Sequence, residues 1–114
     1  MNQEEFVEAI RVAVLENGIR SVQSNLARLP GRQPSEKMIA TSNWYNALGD
    51  GDKKIVIQII MQSARTAVFG FLCVLDGIRA IEDEDKGELK LYYEKGDFKI
   101  LLNDPHNPSL HEFL

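Results

Sequence analysis

Between residues 55 and 75, fifteen of 21 consecutive side chains are apolar. This is close to the length that crosses a bilayer, and any fold of the chain has to accommodate it. Gln58, Gln62, Ser63, Arg65 and Thr66 interrupt the run, with Arg65 at its centre. A charge at the middle of a spanning helix costs roughly 2.5–3.5 kcal/mol even on the lenient insertion scale. The segment therefore reads as the core helix of a soluble domain, over residues 53–76, and no membrane association is expected. At 1.5 Å per residue it is about 36 Å long, so a kink near Gly70 is expected. Gln58, Gln62, Arg65 and Thr66 form one polar stripe, which continues into the small residues Gly70, Cys73 and Gly77. A groove of small residues lets another element approach closely. The first half should touch solvent along one edge, and the second half should be buried all round.

The rest of the chain has to cover that helix. One hundred and fourteen residues make a single domain, 1–114, which can bury roughly two thirds of its unfolded surface. An apolar share of 44% and a charged share of 26% exclude a disordered chain. The one cysteine, Cys73, lies inside the apolar run and excludes an intramolecular disulfide. It reads as a buried structural thiol. The opening Met1-Asn2-Gln3-Glu4-Glu5 lacks the positive region of a secretory signal, and the expectation is a cytoplasmic protein.

Three further helices are legible before the long one. Asn2 and Glu5 stand as an N-cap and its N3 partner, with Met1 and Phe6 placed as a hydrophobic staple. Phe6, Ile10, Ala13 and Val14 recur at helical spacing, and Asn17-Gly18 is expected to close this helix, with Gly18 left-handed. Ile19, Val22, Leu26 and Leu29 carry a second helix to Pro30-Gly31, followed by the short connection Arg32-Gln33-Pro34. Ser35 is the expected cap of a third helix over residues 36–48, with Met38, Trp44, Ala47 and Leu48 facing inward. Gly49-Asp50-Gly51-Asp52 is a turn, and Asp52 the expected cap of the long helix.

Past Asp76-Gly77 and the charged loop of residues 82–87 the period changes from helical to two. Leu89, Leu91 and Tyr93 alternate with polar neighbours, and so do Phe98, Ile100 and Leu102. With Lys95-Gly96 as a two-residue loop, Tyr93 faces Phe98, Leu91 faces Ile100, and Leu89 faces Leu102. All six fall on one face of a β-hairpin over residues 88–94 and 97–103. An isolated hairpin is marginal in water, so the helices should cover that face. Ser109 is the expected cap of a short terminal helix, whose Leu110, Phe113 and Leu114 should tuck onto the core. The fold class is α+β and mostly helical: a four-helix core around the long buried helix, with the hairpin laid on it.

Charge is unevenly placed. Residues 1–75 hold eight basic and seven acidic side chains, and residues 76–114 hold five and ten. The whole acidic excess thus lies in the last third. Glu82, Asp83, Glu84, Asp85, Glu88 and Asp97 are candidate contacts for a basic protein, with Tyr92 as an aromatic anchor among them. Nucleic acid is not an expected partner, because phosphates need clustered Lys and Arg. The chain offers only Lys53-Lys54 and the scattered Arg20, Arg28 and Arg32.

Catalytic and metal-binding patterns fail one by one. Asp50-Gly51-Asp52 resembles the start of a calcium loop, but the twelfth position, where a bidentate Glu belongs, is Met61. His106 and His111, with Asp104 and Glu112 nearby, lack the further ligands of a zinc site. No phosphate-binding glycine loop is present, and four consecutive carboxylates in a loop stay solvated rather than displaced in pKa. No cofactor, no metal and no enzymatic role are expected.

Phe69-Gly-Phe-Leu-Cys-Val-Leu-Asp-Gly77, the hairpin, and the tail Leu102-Asn-Asp-Pro with Leu110-His-Glu-Phe-Leu114 together resemble small bacterial immunity proteins, those of contact-dependent growth-inhibition systems above all. The resemblance implies a non-enzymatic inhibitor of a protein toxin. Joined to the acidic last third, it points to a basic, nuclease-like target. The other reading is a structural or adaptor domain that self-associates through the hairpin edges, which leaves a homo-oligomer open.

Overall fold

The Asn2 side chain accepts the Glu5 amide at 2.8 Å while Glu5 reaches back to the Asn2 amide, so the first helix begins at the reciprocal cap that the sequence announces. The computed structural model describes residues 1–29, 31 and 33–114; Pro30 and Arg32, assigned above to a helix end and a connection, lie outside the described residues. In chain order come α1 (Gln3–Ile10), a π-helical segment (Arg11–Glu16), α2 (Asn17–Ala27), α3 (Glu36–Asn46), α4 (Asp50–Leu75), β1 (Tyr92–Lys95), β2 (Phe98–Leu101) and a terminal 3₁₀ helix (Leu110–Phe113). The chain is α+β, with one two-stranded antiparallel hairpin among the described residues.

The expected break at Asn17-Gly18 does not occur. Backbone dihedrals stay right-handed helical from α1 through the π segment into α2, and Gly18 does not adopt a positive φ. The inward positions explain why. Arg11, Leu15, Ile19 and Gln23, the buried or half-buried residues here, follow one another every four residues. An α-helix would rotate such a series steadily off its face; the wider π turn takes up the extra residue and keeps it inward. The two expected helices are therefore one, which leaves three α-helical stretches among the described residues where four were expected. Val14, placed inward by the sequence pattern, is exposed.

α3 starts where expected, with Ser35 Oγ accepting the Met38 amide at 3.2 Å. Its inward face is not the apolar one. Trp44 and Met38 are exposed, and Ser42 is the buried residue. Ser42 Oγ donates to the Leu26 carbonyl at 2.7 Å, and Asn46 Nδ2 approaches the Leu26 and Ala27 carbonyls at 3.4 Å. These are the carbonyls that α2 leaves without intrahelical donors at its C-terminus, so α3 docks by completing the end of α2.

α4 runs from Asp50 with Gly49 as its N-cap residue, and Asp52 sits in the first turn rather than at the cap. It is not the buried helix that its composition suggests. Only 11% of its most apolar 18-residue window is buried, and by length and composition alone it could cross a membrane. Phe71, Ile59, Ile55 and Met61 are all exposed. Burial is confined to its last turns, at Gly70, Leu72 and Cys73. The reason is how little of the chain reaches it: α2 and the π segment along one side, and the terminal 3₁₀ helix near its end. The small-residue groove does receive an approaching group. Arg79 folds back so that its guanidinium occupies the space a Cβ at Gly70 would need.

The core is small. Val7 of α1, Leu72 of α4 and Leu110 of the terminal helix are fully buried together, ringed by Phe6, Val68, Leu75, Phe113 and Leu114. Three distant stretches of sequence meet there.

The hairpin pairs in a different register from the expected one: Tyr93 with Ile100 and Lys95 with Phe98. The loop is Gly96-Asp97, not Lys95-Gly96. Gly96 has φ +59, and a positive φ at the first loop residue belongs to the tight turns that fit the twist of a hairpin. The shift is by two residues, so the face is preserved. Along it Leu102 is buried and Leu91, Tyr93 and Ile100 are half-buried, but Leu89 and Phe98 are exposed. The helices do not cover this face as expected; the strands pack on each other far more than on any helix.

Leu72→Ala and Leu110→Ala should each lower unfolding free energy by about 2–5 kcal/mol, as large-to-small changes in a tight core do. Phe71→Ala, one position away but exposed, should stay within about 0.5 kcal/mol of the parent. Urea titration followed by circular dichroism checks all three, and equal losses at positions 71 and 72 would contradict the packing described.

Candidate functional site

The acidic last third hangs from the end of α4, and three devices hold it. The first is the helix stop itself. Gly77 takes φ +77, its amide donates to the Val74 carbonyl at 3.1 Å, and the Ile78 amide donates to the Cys73 carbonyl at 3.1 Å. This is the Schellman pattern, which needs a left-handed residue where glycine stands.

The second device is Asn103. Its Nδ2 donates to the carbonyls of Leu75 at 2.6 Å and Leu89 at 2.8 Å, while its Oδ1 accepts the Leu91 amide at 2.8 Å. One side chain thus ties the last residue of α4 to both sides of the hairpin's base. The Leu102 amide adds a bond to the Leu91 carbonyl at 2.8 Å, prolonging the ladder past β2.

The third is Asp76. Its carboxylate, 3% exposed, accepts the amides of Leu110 at 2.8 Å and His111 at 2.9 Å, and pairs with His111 Nδ1 at 2.7 Å. It caps the 3₁₀ helix from another element, whereas Ser109, the cap expected from sequence, makes no side-chain bond. The Phe69 ring stands edge-on to the His111 ring at 5.5 Å. At the other end of this helix, Arg11 Nη2 donates to the Phe113 and Leu114 carbonyls at 3.0 and 2.8 Å, and Arg65 Nη2 to Leu114 at 2.9 Å. Arg65, which interrupts the apolar run, is therefore a tether.

Between these anchors, residues 78–91 form no regular element, and 78–90 are exposed throughout. Glu82, Asp83, Glu84, Asp85 and Glu88 all lie there. The Glu82 carboxylate accepts the Gly87 amide at 2.8 Å and closes the loop on itself; Asp85 has φ +48. Asp97 stands apart, in the hairpin turn. A groove of about 540 Å³ runs under the loop, and its lining mixes Glu82 and Glu88 with Arg79, Lys86 and Lys90. The structure thus brings the first five acidic candidates into one exposed segment and leaves Asp97 at the hairpin tip. Tyr92 is outward and exposed, as expected, but not free. Lys99 Nζ lies 4.4 Å from its ring centroid and also pairs with Glu94 at 3.3 Å.

Sequence reasoning missed Asp76, His111 and Asn103 as organising residues. Asp76 carried a signal: an acidic residue at a helix C-terminus opposes the helix dipole and needs donors of its own. Asn103, in a loop of Asn, Asp and Pro, carried none. Among the described residues no group of three His, Cys, Asp or Glu side chains could hold a metal ion, and the Asp76 carboxylate is already taken by three donors. No protein-family model, no curated protein and no solved structure matches this chain.

Asn103→Ala removes one acceptor and two donors from a half-buried position, and should cost about 1–3 kcal/mol. Amide hydrogen exchange should speed up at Leu91 and through β1 and β2 while the core amides of α4 keep their protection. Unchanged exchange in the hairpin would show that Asn103 does not anchor it.

Proposed function

We propose that this chain is a non-enzymatic, cytoplasmic binding protein that inhibits a basic protein through the acidic surface of its last third, in the manner of an immunity protein against a nuclease-like toxin. The observation that carries the reading is the state of the carboxylates. Glu82, Asp83, Glu84, Asp85, Glu88 and Asp97 are exposed, and none has a cationic partner within salt-bridge distance among the described residues. Among the other carboxylates, Glu5, Glu8 and Glu94 each meet a cation, and Asp76 an ionisable histidine. An uncompensated negative segment steers a positive partner and fixes its orientation. Nuclease sites supply the matching field, since they must hold phosphates. Tyr92, backed by Lys99, offers a ring at the edge of the same surface, and such aromatics are frequent binding anchors. The resemblance to growth-inhibition immunity proteins agrees with this reading.

Binding to the partner captured at low salt from the protein's own cells tests the proposal. That partner should be basic, and its association rate should fall steeply as ionic strength rises. The combined substitution Glu82→Lys, Asp83→Lys and Asp85→Lys should slow association by about tenfold or more, with a smaller change in dissociation. The variant should melt as the parent does, because exposed loop charges contribute little to stability. An acidic partner, or an unchanged association rate, would overturn the reading.

A further inference from the structure

The exposed side of α4 carries a repeat that the single chain leaves uncovered except at its end, where Phe69 meets the edge of the His111 ring. Ile55, Ile59, Gln62, Thr66 and Phe69 succeed one another at spacings of four, three, four and three, the rhythm of a seam between paired helices. All five are exposed, and Ile55 and Ile59 keep 53% and 56% of their surface. The opposite line, Val56, Ile57, Ile60, Ala64 and Val68, is half-buried, and α2 packs along the helix.

The surface of the whole chain points the same way. It exposes 8454 Å², roughly 2,100 Å² more than a compact monomer of its mass should. Its radius of gyration is 18.5 Å, against about 13 Å for a compact chain of this length. Two chains hiding that excess from each other would bury roughly 4,200 Å² in total, the size of an obligate homodimer interface.

We propose that a second copy of this chain covers the seam, its α4 lying antiparallel to the first. Antiparallel seams set the two kinds of core position against each other. Centred at residue 64, Gln62 meets the partner's Thr66, an amide against a hydroxyl, and Ile59 meets the partner's Phe69. Polar then faces polar and apolar faces apolar in both halves of the two-fold. Charge selects this direction over the parallel one. Residues 76–114 hold five basic and ten acidic side chains, and a parallel pair would set two such segments side by side. The antiparallel pair places them near opposite ends of the paired 26-residue helices, about 33 Å apart along the axis, several screening lengths at physiological salt. The α2–α4 pairs of the two copies then form the four-helix core, with the long helix inside, that the single chain lacks. The inference does not rest on the acidic surface having a partner.

Sedimentation velocity of the full chain between about 1 and 100 µM should show a dimer, a concentration range that spans obligate and moderate affinities. Ile59→Lys, at a position exposed in the single chain, should give a monomer with unchanged helical circular dichroism. Gln62→Leu should act oppositely and lower the dissociation midpoint by about tenfold or more, since a polar seam residue specifies register at a cost in stability. In a Cys73→Ser background, Gln62→Cys combined with Thr66→Cys should oxidise to a covalent dimer, whereas Gln62→Cys alone should not. Self-linking of the Gln62→Cys protein means parallel helices and overturns the arrangement. A parent protein that stays monomeric at the highest concentration, or a dimer indifferent to Ile59→Lys, overturns the proposal. Flotation of the protein with phosphatidylcholine vesicles, lost in Ile59→Lys, would assign the face to lipid and overturn it as well.

Discussion

Asp76 joins the long helix to the terminal 3₁₀ helix. It stands one residue past α4, where the helix dipole disfavours a negative charge, and it is almost wholly buried. A carboxylate in such a place is tolerable only if its oxygens are occupied, and three donors of residues 110 and 111 occupy them. The bonds seat the terminal 3₁₀ helix on α4, and Leu110 of that helix completes the core with Val7 and Leu72. The guanidinium groups of Arg11 and Arg65 close the far end of the same short helix. The first helix, the long helix and the last residues are thus locked by a few charge-assisted bonds around a small apolar centre. Bonds of this kind are about twice as strong as neutral ones, which matters where so little surface is buried.

How much of this was legible follows from which interactions are local. The Asn2–Glu5 cap and the Ser35 cap are set by residues within a turn or so of each other, and both form as read; the left-handed stop falls at Gly77 and not at Gly18, where it was expected. The alternation of 89–102 predicts a hairpin, and one forms, but Leu89 and Phe98 of its expected inward face are exposed. Its register slipped by two because the turn takes Gly96 first, and the alternation is the same for either choice. The join of α1 to α2 was not legible, because a π turn restores the inward series that a plain helical period loses. Nor was the polar docking of α3, since Ser42 and Asn46 answer carbonyls of another helix. The largest misreading was α4. Apolarity shows that a segment must leave water, but it does not show which molecule covers it.

The acidic residues of the chain divide by what surrounds them. Glu5 and Glu8 serve helix α1, Glu94 serves the hairpin, and Asp76 serves the core. Of these only Asp76 is buried, so its removal costs the most structure. Of the carboxylates of 82–88 and Asp97, only Glu82 holds structure, through the Gly87 amide of its own exposed loop, and the mutual repulsion of the first four is tolerable only because water surrounds them. Such a segment keeps its charge available for a partner while the fold stays indifferent to it. Composition alone could not make this division, because the local and the solvated carboxylates are the same residue types.

The two exposed features of the molecule impose opposite demands on what meets them. The α4 face is apolar at its ends and polar at Gln62 and Thr66, so it favours a surface with the same pattern and tolerates no uncompensated charge. The 82–97 surface is negative and hydrated, so it repels a second copy of itself; the basic partner proposed for it would meet it through charge. One surface cannot substitute for the other. They are nevertheless mechanically linked, because the acidic segment is suspended from the last turn of the helix that bears the seam. Gly77, Asn103 and Asp76 all act within the residues just past that turn. Whatever holds α4 rigid therefore also fixes where the acidic segment stands, and any loosening at Asp76 would be felt at both surfaces together.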